Sequence, residues 1–356
     1  MSKIAVILFN LGGPDQPAAV EPFLFNLFND PAIIAVPWPL RPFLARWIAR
    51  RRAPVAQEIY DNIGGRSPLL ELTLEQAKAL ELALSQGDDT GDDSVRVFVS
   101  MRYWHPMSDE TARLVKNFDP DEVILLPLYP QYSVTTSGSS LKDWQRAAAA
   151  AKLSVTSKAI CCYGTEPGLI AAQAELVVKG LNEAANIGNG PRILFSAHGL
   201  PKRVVEKGDP YARQIEQTAQ GIAAAVIEAT GAKELDWVVC YQSRVGPLAW
   251  IGPSIGDELQ RASQDGVGVV VVPVAFVSEH SETLVELDIE YRQVAAEMGL
   301  PCYVRVAAVG THPQFIEGLA RLVEGARAGT RDICSQSGGR TCAKGFAGCP
   351  NLAQVA

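Results

Sequence analysis

The chain has 356 residues, 47% hydrophobic and 20% charged, which suits about two domains at roughly 100–200 residues each and is too apolar for a disordered chain. Its 30 glycines and 23 prolines follow no period, so it is neither collagen-like nor a linker. With 32 basic and 39 acidic residues the net charge is -7, which argues against nucleic acid, because phosphate binding needs a basic footprint.

Residues 4–9 form a short apolar run that ends in Asn10-Leu11-Gly12-Gly13-Pro14, a strand followed by a turn rather than a signal peptide. No segment reaches the ~20 apolar residues of a membrane span. The stretch 31–40 has no charge, but it is only ten residues long and holds three prolines. Residues 22–68 stand apart in composition: Phe23, Phe25, Phe28, Trp38, Phe43 and Trp47 precede Arg50-Arg51-Arg52. Aromatics beside an arginine cluster suit a lipid interface or a large flat ligand bearing carboxylates. An amphipathic helix packed on the core would give the same pattern.

Further along, the runs 95–100, 122–126, 192–196, 237–240 and 267–272 are continuously apolar, as strands buried on both faces of a parallel sheet are. Helical stretches at 72–84, 144–151 and 212–230 separate them, giving an α/β pattern. The strands also repeat. Ile7-Leu8-Phe9 resembles Ile193-Leu194-Phe195 at an offset of 186, residues 97–106 resemble 238–247 at 141, and Pro127 matches Pro273 at 146. Two similar halves explain this if the first carries an insertion of 40–45 residues between its first two strands, which falls in 22–68. The expected fold is therefore two similar Rossmann-like lobes with parallel sheets. The expected division is 1–165 with the insertion, 166–325, and a cysteine-containing extension 326–356.

In such sheets ligands meet the loops that leave the C-terminal ends of strands. His198 follows a strand directly and precedes Gly199, so its imidazole is placed to take a proton near neutral pH or to bind a metal. His105 and His280, two of the other three histidines, also follow strands. Glu282, Glu286 and Glu290 are spaced i, i+4, i+8, which on a helix puts three carboxylates on one face. Such a row repels itself and is either solvated or a path for cations or protons. Gly12-Gly13-Pro14 and Gly64-Gly65-Arg66-Ser67-Pro68 lack nucleotide-fingerprint spacing, and Ser139 and Ser140 lie in no nucleophile elbow. Of seven cysteines, Cys334, Cys342 and Cys349 lie in the last 23 residues, Cys161 and Cys162 are adjacent, and Cys240 and Cys302 are scattered. An odd count without a secretory signal does not read as a disulfide framework.

Taken together, residues 10–14, 60–68, 101–106, 129–140, 195–201, 242–253 and 276–291 resemble the ferrochelatases. The most specific segments are Ser196-Ala197-His198-Gly199-Leu200-Pro201 and the run from Ser278 through Glu282 and Glu286 to Glu290. The resemblance implies a lyase of haem biosynthesis that inserts ferrous iron into protoporphyrin IX and releases two protons. It implies that His198 and Glu282 form the inner metal pair and that Glu286 and Glu290 continue an acidic row. It also implies that Leu11, Tyr60, Ser67, Arg102, Tyr129, Trp250 and Phe276 line a porphyrin cleft between the lobes, with 22–68 as an apolar lip at a membrane surface. For the tail it implies a [2Fe–2S] cluster on Cys334, Cys342 and Cys349. The fourth ligand in related enzymes falls at the position of Val134 here, so it comes from elsewhere, with Cys161 or Cys162 as the candidate; on a strand only one of the two would point at the cluster. A homodimer and a cytoplasmic location, peripheral at the inner membrane surface, belong to the same expectation. Other readings to be tested are a chelatase for another metal or tetrapyrrole, such as cobalt or coproporphyrin, and a non-catalytic tetrapyrrole-binding protein.

Overall fold

The computed structural model describes residues 2–86, 94–185, 190–243 and 248–351; residues 244–247 of the expected ligand loop 242–253, and with them the end of the 238–247 repeat segment, lie outside the described residues. The chain divides into two compact units. The first comprises Met1–Cys162, Leu319–Thr341 and Pro350–Ala356, and the second Tyr163–Gly318 and Cys342–Cys349. The first boundary lies three residues before the 165/166 division read from the sequence. By this division the described residues 326–351 of the expected extension fall within the two units rather than in a third.

In the first unit, β1 (Lys3–Asn10) is followed by α1 (Val20–Phe28), α2 (Leu40–Asp61) and α3 (Leu69–Gln86). Then come β2 (Ser94–Met101), α4 (Ser108–Phe118), β3 (Glu122–Pro127), α5 (Ser137–Ala151) and β4 (Ser157–Ile160). Seven of the eight residues of β1 are buried, because helices cover both faces of the strand. The insertion 22–68 supplies α1 and α2. Phe23 and Leu24 are buried, whereas Trp38, Leu40, Phe43 and Trp47 are 57–77% exposed. The segment is thus in part packed helix and in part apolar surface.

The second unit begins with α6 (Pro167–Ala184), β5 (Arg192–His198), α7 (Lys202–Glu206), α8 (Tyr211–Thr230), β6 (Trp237–Gln242), α9 (Ile255–Asp265) and β7 (Val269–Pro273). A π-helix (Glu282–Glu290), α10 (Tyr291–Glu297) and β8 (Tyr303–Arg305) follow. α11 (Pro313–Ala328) belongs to the second unit through Gly318 and to the first from Leu319, and β9 (Ile333–Cys334) returns to the first sheet. Local sequence sets these limits. Ser254 and Asp257 cap α9 reciprocally at 2.9 and 3.1 Å, and Gly266 closes it in the left-handed conformation that favours glycine.

All strands are parallel. The first sheet runs β2-β1-β3-β4-β9 and the second β6-β5-β7-β8. The first four strands of the first sheet and the four of the second share one order, and the surplus of the first unit lies between β1 and β2, as the offsets require. Each sheet is anchored by an edge-to-face pair, Phe9–Trp144 at 5.9 Å and Phe195–Trp237 at 5.7 Å. Phe195 is fully buried on β5. Phe195→Ala is expected to cost about 3–5 kcal/mol, read as a lower denaturant midpoint of unfolding.

Three strands, the helices α4, α6, α7, α9, α10 and α11, and half of α5 go beyond the sequence reading. β4, β8 and β9 have four, three and two residues, too few to show a period. α5 starts at Ser137 rather than near Trp144, because Ser137, Ser139 and Ser140 are buried and tertiary packing overrides their weak helix propensity.

Candidate functional site

Within the second unit the site grows from the ends of β5 and β6 and from the π-helix. β5 delivers His198 as its last residue, half-buried, with Nδ1 2.9 Å from Glu282 Oε2. The Nε2 of His280 lies 3.7 Å from the same oxygen. Glu286 is held from the end of β6: Gln242 Nε2 donates to its Oε2 at 3.0 Å, Ser243 N–H to its Oε1 at 2.8 Å, and the Ser243 hydroxyl to its Oε2 in a short bond. Ser196 Oγ in turn donates to Gln242 Oε1 at 2.7 Å. Ser243 has φ of 60°, a left-handed backbone that is uncommon for a non-glycine residue and that aims both of its donors at one carboxylate.

The acidic row is not on an α-helix. Residues Glu282–Glu290 wind as a π-helix, whose i→i+5 bonding gives a wider turn. Side chains help satisfy its carbonyls: Gln242 Nε2 reaches Glu282 O at 3.1 Å, Tyr303 Oη reaches Leu287 O at 2.5 Å, and Arg292 Nε reaches Asp288 O at 2.9 Å. Glu282 and Glu286 share the site with His198, while Glu290 is exposed at the far end and takes no part in that network. His105 is also set aside, because it is exposed and pairs with Glu110 at 2.9 Å at the start of α4.

The electrostatics follow from this geometry. Burial disfavours the imidazolium of His198, but the charge and hydrogen bond of Glu282, with Glu286 behind, outweigh it and raise its pKa above 6.5. Burial likewise opposes ionisation of Glu282, yet His198 and His280 hold its carboxyl well below the usual range. Burial and the neighbouring Glu282 charge raise Glu286 against the hydrogen bonds from Ser243. The site thus contains a base paired to an ionised carboxylate and a second carboxyl that holds its proton more tightly.

The sequence assigned no role to Gln242 and Ser243. The available signal was a polar glutamine, wholly buried, ending an otherwise apolar strand. Trp250 and Phe276 also lie in the second unit. Trp250 bridges to Pro201 just after His198, and the Phe276 ring sits 4.6 Å from that of His280.

The first unit gathers Leu11, Tyr60, Ser67, Arg102 and Tyr129. Tyr103 N–H donates to Leu11 O and Arg102 N–H to Asn10 O, both at 2.9 Å, which ties the loops after β1 and β2 together. A Cβ at Gly13 would lie 2.5 Å from the Ser67 side chain, so glycine is required for that approach; the Tyr60 hydroxyl is 3.9 Å from the same point. Burial pushes the Tyr129 phenol up, against the nearby Ser140 and Arg102.

The cysteines divide between the units. In the first, Cys161 and Cys162 lie just past the end of β4, and their sulfurs are 3.3 Å apart. They do not point to opposite sides, because neither residue is in a strand. β9 brings Cys334 beside them: Cys161 N–H donates to Cys334 O at 2.7 Å, and burial together with Cys162 raises the Cys334 thiol. Asn351 Nδ2 donates to Cys161 Sγ at 3.6 Å. In the second unit Cys349 is buried and Cys342 accepts from Gln214 Nε2 at 3.3 Å. None of the seven is in a disulfide. Soft thiol donors with amide N–H groups aimed at sulfur match what iron–sulfur centres take. Among the described residues, no group of three or more His, Cys, Asp or Glu is arranged to hold a metal ion.

Two parallel sheets of one strand order, with a histidine–carboxylate site at strand ends, place the molecule among the two-lobed α/β chelatases. The fold is similar to that of the sirohydrochlorin chelatase SirB from Bacillus subtilis subspecies spizizenii, solved in complex with cobalt, with a TM-score of 0.51 over 92% of this chain and 95% of that one at 10% identity. The family model described as ferrochelatase matches residues 3–327, and the chain belongs to the ferrochelatase family. It is 49% identical to the ferrochelatase of Caulobacter vibrioides over 98% of this chain and 97% of that one. It is 52% identical to that of Phenylobacterium zucineum over 91% of each.

Proposed function

We propose that the protein is a lyase that inserts ferrous iron into protoporphyrin IX, giving protohaem and two protons in haem biosynthesis. The observation that carries this reading is the His198–Glu282–Glu286 constellation in a chain of the ferrochelatase family. A free porphyrin holds two pyrrole N–H protons that the metal must displace. With Nδ1 engaged by Glu282, the Nε2 of His198 is the ring nitrogen left to take a pyrrole proton. Glu286, with its raised affinity, is suited to receive a proton in turn, and Glu282 and Glu286 together offer oxygen ligands to the arriving cation. Aromatic side chains at Tyr60, Tyr129, Trp250 and Phe276 supply apolar contact with the macrocycle, and binding energy spent there helps bend it so that its nitrogen lone pairs are presented. The test is an anaerobic assay with ferrous iron and detergent-dispersed protoporphyrin. Loss of free-porphyrin fluorescence with appearance of the haem spectrum is expected. Porphyrin binding without insertion would instead establish a tetrapyrrole-binding protein. Coproporphyrin and cobalt in parallel reactions settle preference, with protoporphyrin and iron expected to be fastest.

The tail belongs to the same proposal. Cys334, Cys342, Cys349 and one of Cys161 and Cys162 would hold a [2Fe–2S] cluster, which supplies a one-electron centre when bound. Insertion of Fe(II) needs no net electron transfer, so its part is structural or regulatory. Protein prepared anaerobically from iron-replete cells is expected to be coloured, and Cys334→Ser to be colourless with no reduced-cluster electron paramagnetic resonance signal. A coloured Cys334→Ser protein would remove Cys334 from the ligand set.

The exposed Trp38, Leu40, Phe43 and Trp47 beside Arg50, Arg51 and Arg52 support peripheral contact with an anionic membrane surface from the cytoplasm. Among the described residues no helix is long and apolar enough to cross a membrane. The homodimer implied by the family's cluster-bearing members is read by sedimentation.

A further inference from the structure

We propose that Asp30 is a positioning residue for porphyrin binding, its buried carboxylate fixing the guanidinium of Arg102. The proposal rests on the reading of Arg102 as a porphyrin contact. Asp30 follows α1 and is 4% exposed. One oxygen, Oδ1, accepts the N–H of Ala32 at 2.8 Å and closes the turn Asp30-Pro31-Ala32. The other, Oδ2, accepts from Arg102 Nη2 and from the Tyr103 hydroxyl, each at 2.8 Å, and from the Ser139 hydroxyl in a short bond. Arg102 Nε also donates to Ser139 Oγ at 2.7 Å, and Asp143 lies 3.9 Å from Nη1.

One carboxylate therefore joins three segments distant in sequence: the insertion carrying the exposed aromatics, the loop after β2, and the first turn of α5. The geometry also changes what Arg102 can do. Two carboxylates of the first unit already flank its guanidinium, so its charge is balanced within the protein. What Asp30 confers is a fixed plane and direction, since a planar guanidinium held at two nitrogens loses its rotamer freedom before substrate arrives. Arg102 also stacks over the Tyr103 ring at 4.9 Å, and Tyr103 is itself bound to Asp30. Asp30 need not touch substrate to act; it acts through Arg102 and Tyr103.

The experiment compares Asp30→Asn and Arg102→Leu with the parent in two readouts: fluorescence titration of protoporphyrin without iron, and steady-state kinetics. In Asp30→Asn, an amide N–H group faces donors where an oxygen accepted them. The porphyrin Kd and KM are expected to rise about tenfold, the scale of one lost charge-assisted contact, while kcat and the KM for iron stay within about twofold. Arg102→Leu is expected to raise the Kd at least as much. A folded Asp30→Asn protein with parental Kd, beside a raised Kd in Arg102→Leu, overturns the proposal and leaves Arg102 a substrate contact. Parental Kd in both overturns the reading of Arg102 and the proposal with it. A lower Tm and kcat at unchanged Kd marks Asp30 as merely structural and also overturns it. Should Asp30→Asn fail to fold, Ser139→Ala removes the hydroxyl that donates to Asp30 and accepts from Arg102 and carries the same test, with an expected rise of about threefold.

Discussion

His198→Ala is expected to lower the rate of iron insertion by about 10²–10⁴-fold, the range of a positioned general base. Porphyrin binding is expected to persist, because the aromatic contacts are supplied by other residues. Two of its neighbours are poorly suited to take over. Glu282 is held ionised well below the usual carboxylate range and is a weak base toward a pyrrole N–H. His280 is buried, and its Nε2 lies 3.7 Å from Glu282 Oε2, farther than the 2.9 Å of His198 Nδ1 from the same oxygen. The measurement is single-turnover haem formation on protein whose circular dichroism matches the parent. A rate near the parent's would remove His198 from the mechanism.

Glu282→Gln carries the second large effect, and its signature is a shift in pH dependence. The charge of Glu282 is the chief influence that raises His198 above 6.5 against burial. His198 must be neutral to accept a proton, so its titration sets the acid limb of kcat/KM. Without the carboxylate the imidazolium loses its stabilising partner, the pKa of His198 falls, and the acid limb moves to lower pH. The maximal rate falls as well, by about 10²-fold, because the tautomer with Nδ1–H directed at an anion is no longer fixed. An acid limb that stays in place would show that another group sets it.

The same pair links stability to pH. The raised pKa of His198 contributes stability that is full below about 6.5 and is lost as pH rises through its folded value. The depressed pKa of Glu282 contributes stability present above the ordinary carboxylate range and lost as pH falls toward its folded value. The pair therefore stabilises most between those limits, and Glu282→Gln should flatten the profile there.

The sequence revealed those features whose signal lay in a continuous stretch. β1, β5 and β7 were readable as unbroken apolar runs, because a strand covered on both faces has no polar alternation. The repeat was visible because strand order and spacing are both kept. His198 stood out by its place directly after a strand. The π-helix was hidden, since carboxylates at i, i+4 read alike on either kind of helix. What selects the wider turn is distant: Gln242 and Tyr303 donate to its carbonyls from two other strands. Asp30 was hidden for a related reason. It is an ordinary aspartate before a proline until residues 102, 103 and 139 are folded against it. Cys161 and Cys162 were misread in direction because the strand was taken to include them, and it stops at Ile160.

The short parallel pairing of β9 with β4 has a practical consequence. Among the described residues, Ile333 and Cys334 alone pair with β4 on the border of the first sheet opposite β2, beside Ala159 and Ile160. Proteolytic trimming ahead of residue 333 would leave those backbone groups open to pairing with a foreign strand. Truncated preparations should therefore be prone to self-association, and expression designs that discard the cysteine-bearing end sacrifice a guard against precipitation as well as a candidate cofactor.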